Sequence, residues 1–240
     1  MEGPFIFFDL GQTLVDEWRF IDYLDHKLLE LLNGFGAKID IRNYKAVRDN
    51  VIRSRKIGNG STRELIIEVC RLVSQHGYER IIADRLKDDI NEGRKKLFRF
   101  YYDAKPTLRV LSQKYMLGII ANQSRDILQL LDKFNIKSFF KVIVISSQVN
   151  INKPDPRIFQ LAMDRAKNST HYIMIGDRLD TDIGPANKLG METIRYTNSL
   201  FRLQEPIDKS EMATHIVDRL SEIPDVLQGI KVHRSRVINS

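Results

Sequence analysis

From Asp103 onward the chain alternates helical periodicity with short apolar runs, and few architectures accept that alternation. Thr107 to Lys114, Ser124 to Phe134, Asp155 to Ala166 and Asp182 to Leu189 read as helices, with a last one near Leu220 to Leu227. Between them Met116 to Ala121, Val142 to Ile145, Tyr172 to Ile175 and Thr193 to Tyr196 read as buried strands, with a weaker one at His215 to Val217. Strands that alternate with helices predict a parallel sheet covered on both faces, and right-handed crossovers leave little topological freedom. One more apolar run, Phe5 to Phe8, stands near the start and ends in Asp9. It must join the same sheet, since one isolated strand has nothing to pair with. Gly11, Gln12 and Thr13 then break the pattern into a turn. Asp9 therefore falls at the carboxyl edge of the sheet, where open α/β folds bind ligands.

The intervening segment has a different character. Trp18, Ile21, Leu24, Leu28, Leu31 and Leu32 recur at helical spacing, and Asn33-Gly34 with Gly36 ends that helix. A second helix is expected from Ile41 to Ile57, carrying Arg42, Lys45, Arg48, Arg53, Arg55 and Lys56, and Gly58-Asn59-Gly60 breaks it. Ser61-Thr62-Arg63-Glu64 reads as a capping box opening a third helix that runs to about Gln75. A fourth is expected over Arg80 to Tyr101. Short connections predict an antiparallel bundle. The fold expected is thus an α/β doubly wound parallel sheet from residues 1–15 and 103–240, with an inserted helical bundle over 16–102.

The 240 residues suffice to bury a substantial core, and the formal charge is +7. That charge suits anionic small molecules or a solvated basic surface. Zinc-finger spacing and aromatic RNA-binding signatures are absent from the sequence, so no nucleic-acid partner is expected. No apolar run reaches membrane-spanning length, and the start lacks the pattern of a signal peptide. A cytoplasmic monomer or homodimer is expected. The single cysteine, Cys70, lies in an apolar helical pattern and reads as a buried structural thiol. The basic stretch from Lys231 to Ser240 reads as a mobile tail. The run of arginines and lysines on the second helix reads first as a solvated face, and Trp18 as core.

Four loops fall at the carboxyl ends of the expected strands. They carry Asp9, then Asn122-Gln123-Ser124, then Lys153-Pro154-Asp155, then Gly176-Asp177-Arg178-Leu179-Asp180-Thr181-Asp182. Alone, Asp9 reads as a strand-end cap, Lys153 as a turn lysine and the three aspartates as the acidic start of a helix. In this order on these strands they make one crevice. A carboxylate nucleophile, a lysine and paired aspartates there suit metal-assisted phosphoryl transfer, with Asp9 and Asp177 as oxygen ligands for Mg²⁺, Asp182 as either a direct ligand or a group orienting the ligands, and Lys153 neutralising charge. Asp180 is the weaker metal candidate.

Asp9-Leu10-Gly11-Gln12-Thr13-Leu14 resembles the first motif of the haloacid dehalogenase-like (HAD) hydrolases, and the Gly176-to-Asp182 stretch resembles their last. The resemblance covers Met1–Val15 and Asp103 to about Leu227, and many members carry a helical cap at the position of the insertion. It implies that Asp9 is the nucleophile, that the backbone carbonyl of residue 11 is a metal ligand, and that the substrate is a small phosphorylated metabolite. Two positions depart from the pattern. Gly11 stands where the family has an acid/base Asp, a group typically worth ~10²–10⁴-fold in rate. Ala121 stands where the family has Ser or Thr on the phosphate, which leaves Asn122 and Ser124 to bind it. The expected function is a Mg²⁺-dependent phosphatase acting through an aspartyl-phosphate, slow for want of the acid/base. The alternatives are a haloacid dehalogenase-type hydrolase and a non-catalytic metal- or phosphate-binding protein on the same fold.

Overall fold

The computed structural model describes residues 3–57, 61–73, 77–167 and 169–230. The expected break at 58–60, the helix end near Gln75 and the tail at 231–240 lie outside the described residues.

The chain enters through β1 (Phe5–Phe8) and a two-residue strand, β2 (Val15–Asp16). Five helices follow: α1 (Trp18–Gly34), α2 (Ile41–Arg53), α3 (Thr62–Val73), α4 (Glu79–Arg85) and α5 (Lys87–Leu97). The capping box is formed, with Glu64 N donating to Ser61 Oγ at 3.1 Å and Ser61 N to a Glu64 carboxylate oxygen at 3.3 Å. The single helix expected over Arg80 to Tyr101 is two helices and a strand. Leu86, fully buried, closes α4 and opens α5. The helix cannot continue past Phe98, because Arg99 and Phe100 form β3 (Arg99–Phe100), which pairs antiparallel with β2. This two-stranded ribbon carries the chain into and out of the helical layer.

The remaining elements are α6 (Ala104–Ser112), β4 (Met116–Ala121), α7 (Ile127–Lys133), β5 (Phe140–Ile145), the one-turn α8 (Ser146–Val149), α9 (Pro156–Arg165), β6 (Tyr172–Gly176), α10 (Gly184–Lys188), β7 (Glu192–Tyr196), β8 (His215–Val217) and α11 (Ile223–Gly229). The six long strands form one parallel sheet in the order β5-β4-β1-β6-β7-β8. This is the doubly wound order, with β1 at the centre and the reversal of winding between β1 and β6.

Alternation along β1 builds both halves of the core. Phe5 and Phe7 pack with Ile158, Phe159 and Ala162 of α9 on one face. Ile6 and Phe8 pack with Leu108 and Leu111 of α6 and Leu131 of α7 on the other. Each fully buried Phe, Ile or Leu among them contributes roughly 1.5–3 kcal/mol. The helix expected to begin at Asp182 instead starts as a π-helical turn, Leu179–Ile183, before α10. That wider turn swings Asp182 back toward the strand it follows.

The second helix ends at Arg53 rather than Ile57, so Arg55 and Lys56 lie in the turn beyond α2, and the basic run as a whole is only partly solvated. Arg42, Arg53 and Lys56 are exposed, but Arg48 is buried against Asp25 and Asp49, and Arg55 reaches Glu211 at 2.5 Å. Cys70 is buried, and burial pushes its thiol up to about 12. Trp18 is half-buried, beneath the guanidinium of Arg202.

Candidate active site

Strand pairing fixes the centre of the site. Phe8 is in register with Ile175, and Asp9 N donates to Ile175 O at 2.9 Å. Neighbouring strands lie about 4.8 Å apart, so Asp9 and Asp177 emerge side by side where the winding reverses. Asp182 joins them because residue 176 is glycine. A Cβ there would lie 2.5 Å from Cβ of Asp182 and 2.7 Å from its Oδ2. The Arg178 backbone amide then holds Asp182 Oδ2 at 3.1 Å. Among the described residues, Asp9, Asp177 and Asp182 form one cluster with carboxylate oxygens within 4.8 Å of one another.

Lys153 binds this cluster from the β5 side. Its Nζ donates to Asp9 Oδ1 at 2.6 Å and to Asp182 Oδ1 at 2.5 Å, and the residue is 2 % exposed. Asn122 fixes the lysine's main chain, donating from Nδ2 to Lys153 O at 2.9 Å and accepting from Lys153 N at 2.8 Å. Its amide side chain is thereby held against the main chain of Lys153. The Lys153–Pro154 peptide bond is cis. Asp180 stands outside the cluster, paired with Arg178, whose guanidinium covers the Phe201 ring.

The charges in this cluster are poorly solvated. Burial raises Asp9 to about 6, against the pull of Lys153 and with the push of Asp182. Burial and the charges of Asp182 and Asp9 hold Asp177 well above the carboxylate range. Burial alone would lower the Lys153 ammonium, but Asp182 and Asp9 hold it above its usual value. Asp177 Oδ2 is buried without a hydrogen-bond partner, while Oδ1 meets the Thr13 hydroxyl at 3.5 Å. An orphaned, buried carboxyl oxygen in a trio of hard oxygen donors fits a divalent cation of the Mg²⁺ kind, whose charge would favour the ionised form.

Above the trio lies a cavity of about 310 Å³ between the sheet edge and the helical layer. Gly11, Asn122 and Ser124 line it, as the sequence places them, and Ser124 sits at an exposed position. The helical layer contributes side chains that the sequence reading passed over. Glu17, just before α1, lines the cavity beside Gly11, and burial raises its carboxyl to about 7 against the attraction of Arg94. Arg94 of α5 also lines it, with its Nε buried and lacking a hydrogen bond and one terminal nitrogen on Thr62 Oγ1 at 2.9 Å. Deeper in the helical layer Asp25 accepts from Tyr44 Oη at 2.9 Å and pairs with Arg48. Only the capping-box spacing near Thr62 signalled any of this, because the other contacts join residues far apart in sequence.

The family model described as haloacid dehalogenase-like hydrolase matches residues 6–196. The chain belongs to the haloacid dehalogenase-like hydrolases. Its sequence is 24% identical over 228 residues to the glyceraldehyde 3-phosphate phosphatase of Methanopyrus kandleri, covering 94% of this chain and 97% of that one. It is 26% identical over 231 residues to the enzyme of the same name from Pyrococcus furiosus, with 93% and 92% covered. Its fold is similar to that of the HAD-hydrolase YfnB from Bacillus subtilis bound to magnesium, with a TM-score of 0.67, 20% identity, and 95% and 99% of the two chains covered. This HAD hydrolase thus has the six-stranded parallel core that the sequence led us to expect, and among its described residues no helix is long and apolar enough to cross a membrane.

Proposed function

We propose that this HAD hydrolase is a Mg²⁺-dependent phosphatase acting on a small phosphorylated metabolite. The described residues of 3–15 and 103–230 form its α/β core, and those between 16 and 102 a helical cap over the site. The observation that carries the reading is the placement of Asp9 within a buried carboxylate trio and 2.6 Å from the Lys153 ammonium. A phosphate dianion repels a carboxylate attacker, so attack requires concentrated positive charge at that point.

Asp9, Asp177, Asp182 and the backbone carbonyl of Gly11 would hold Mg²⁺, which when bound draws charge from the phosphoryl oxygens. Lys153 keeps Asp9 ionised and oriented, and takes part of the charge that develops on the transferring group. The main-chain amide of Asn122, with Ser124, binds the remaining phosphoryl oxygens. Asp9 attacks phosphorus, the ester bond breaks, and water hydrolyses the aspartyl-phosphate. A cavity of about 310 Å³ lies at the small end of the ligand-pocket range and suits a compact metabolite. The Methanopyrus and Pyrococcus relatives act, by their names, on glyceraldehyde 3-phosphate, which makes a triose phosphate the first substrate to try.

The test is release of orthophosphate from glyceraldehyde 3-phosphate and from a generic aryl phosphate, with and without Mg²⁺. Metal-dependent release is expected. Mg²⁺ binding without release from either ester would support the binding-protein alternative instead.

A further inference from the structure

The first loop folds back on itself. The backbone amides of Thr13, Leu14 and Val15 all donate to Leu10 O, at 3.3, 3.0 and 2.8 Å, and Val15 forms a bridge with Gly11. Two residues later the chain presents Glu17 over the same loop. A Cβ built on Gly11 would lie 3.1 Å from Glu17 Oε1 and 3.2 Å from Gln123 Nε2. The space into which a side chain at position 11 would grow is therefore bounded by the Glu17 carboxyl. Asp9, Gly11, Glu17 and Gln123 line one cavity.

We propose that Glu17 supplies the proton-transferring carboxyl that position 11 lacks. Gly11 makes room for a carboxyl arriving from the start of α1, and Gln123 flanks it. The proposal rests on the phosphatase reading above and adds a residue to it. As an Asp9 oxygen bonds to phosphorus and the ester P–O bond breaks, the leaving oxygen takes the proton of the Glu17 carboxylic acid. Glu17, now a carboxylate, takes a proton from the water whose oxygen attacks the phosphorus of the aspartyl-phosphate. Orthophosphate leaves, the Asp9 carboxylate is regenerated and Glu17 is protonated again. Glu17 belongs to the helical layer, so acid/base help would be complete only with that layer in place over the core.

A proton donor matters most when the leaving group is poor. The experiment compares Glu17→Gln with wild type on an alkyl phosphate and on p-nitrophenyl phosphate, whose leaving group departs without a proton. The expected result is a fall in kcat/KM of about 100-fold or more for the alkyl ester and a change under about threefold for the aryl ester. The variant should also accumulate phosphoenzyme on the aryl ester, because the second step has lost its base. Glu17→Ala combined with Gly11→Asp should recover alkyl-ester turnover, the aspartate entering the vacated space. An equal loss on both esters, without phosphoenzyme accumulation, would overturn the role of Glu17 and leave the phosphatase reading standing. Absence of metal-dependent turnover by the wild-type chain on either ester would overturn both.

Discussion

Lys153 Nζ bridges Asp9 and Asp182 at 2.6 and 2.5 Å, and this single ammonium offsets charge in a buried trio of carboxylates. Removing it leaves buried carboxylates without their partner. Lys153→Met should therefore destabilise the metal-free protein by about 3–5 kcal/mol at pH 8, the usual cost of breaking a buried pair. The cost should shrink at pH 5, below the raised value of Asp9, where that carboxyl is neutral. Denaturant melts at the two pH values check this, and an equal cost at both would contradict it.

The raised carboxyls link stability to pH with a definite sign. Asp9 moves from 3.8 to about 6 on folding, and Glu17 from 4.5 to about 7. Each contributes stability that is fully present below its unfolded value and is lost as pH rises through its folded value. The metal-free protein should lose Tm from these groups between pH 5 and pH 8. Mg²⁺ requires ionised carboxylates, so its stabilising shift should be larger at pH 8 than at pH 5. Thermal melts with and without Mg²⁺ read both effects. A Mg²⁺ shift independent of pH would count against the trio as the binding site.

Gly176 is where a single methyl group should dismantle the cluster. A Cβ at 2.5 Å from Asp182 Cβ cannot be accommodated without moving either the π-helical turn or the end of β6. Gly176→Ala should cost about 1–3 kcal/mol through overpacking and should weaken the Mg²⁺ stabilisation as well. Calorimetric titration of Mg²⁺ into the folded variant separates the two effects. Wild-type affinity would show that Asp182 does not need its observed position.

The Asp25–Arg48–Tyr44 group ties α1 to α2 beneath the cavity. Burial raises Asp25 while Arg48 opposes that shift. Arg48→Ala alone, which strands a buried carboxylate, should cost about 3–5 kcal/mol. Combined with Asp25→Ala it should cost less than the sum of the two single changes. Additive losses in the double-mutant cycle would show that the pair is not coupled.

The core strands and the carboxylate trio were legible in the sequence for a common reason. Apolar runs bounded by turn residues mark strand ends, and in a doubly wound sheet all strand ends share one edge, so the loops that carry Asp9, Lys153, Asp177 and Asp182 meet there, whereas the π-helical turn that brings Asp182 back against Gly176 has no signature in the residue pattern. The strands β2 and β3 were not legible, because two residues carry no periodicity. Nor was the break at Leu86, since Ile82, Leu86 and Ile90 keep helical spacing across it. Arg48 reads as one more charge on a basic helix until Asp25, on another helix, is brought against it. Glu17 depends on the loop returning from Val15 to Gly11, a tertiary contact that residue types do not announce.

In the proposed reaction Asp9 carries the phosphoryl group. Rapid quenching of the wild-type protein during turnover of an aryl phosphate with Mg²⁺, followed by peptide mass spectrometry, tests it most directly. A phosphoryl group is expected on the peptide containing Asp9, absent without Mg²⁺ and absent in Asp9→Asn, which should also have lost turnover. Full turnover by Asp9→Asn, or a phosphoryl group on another residue, would contradict it.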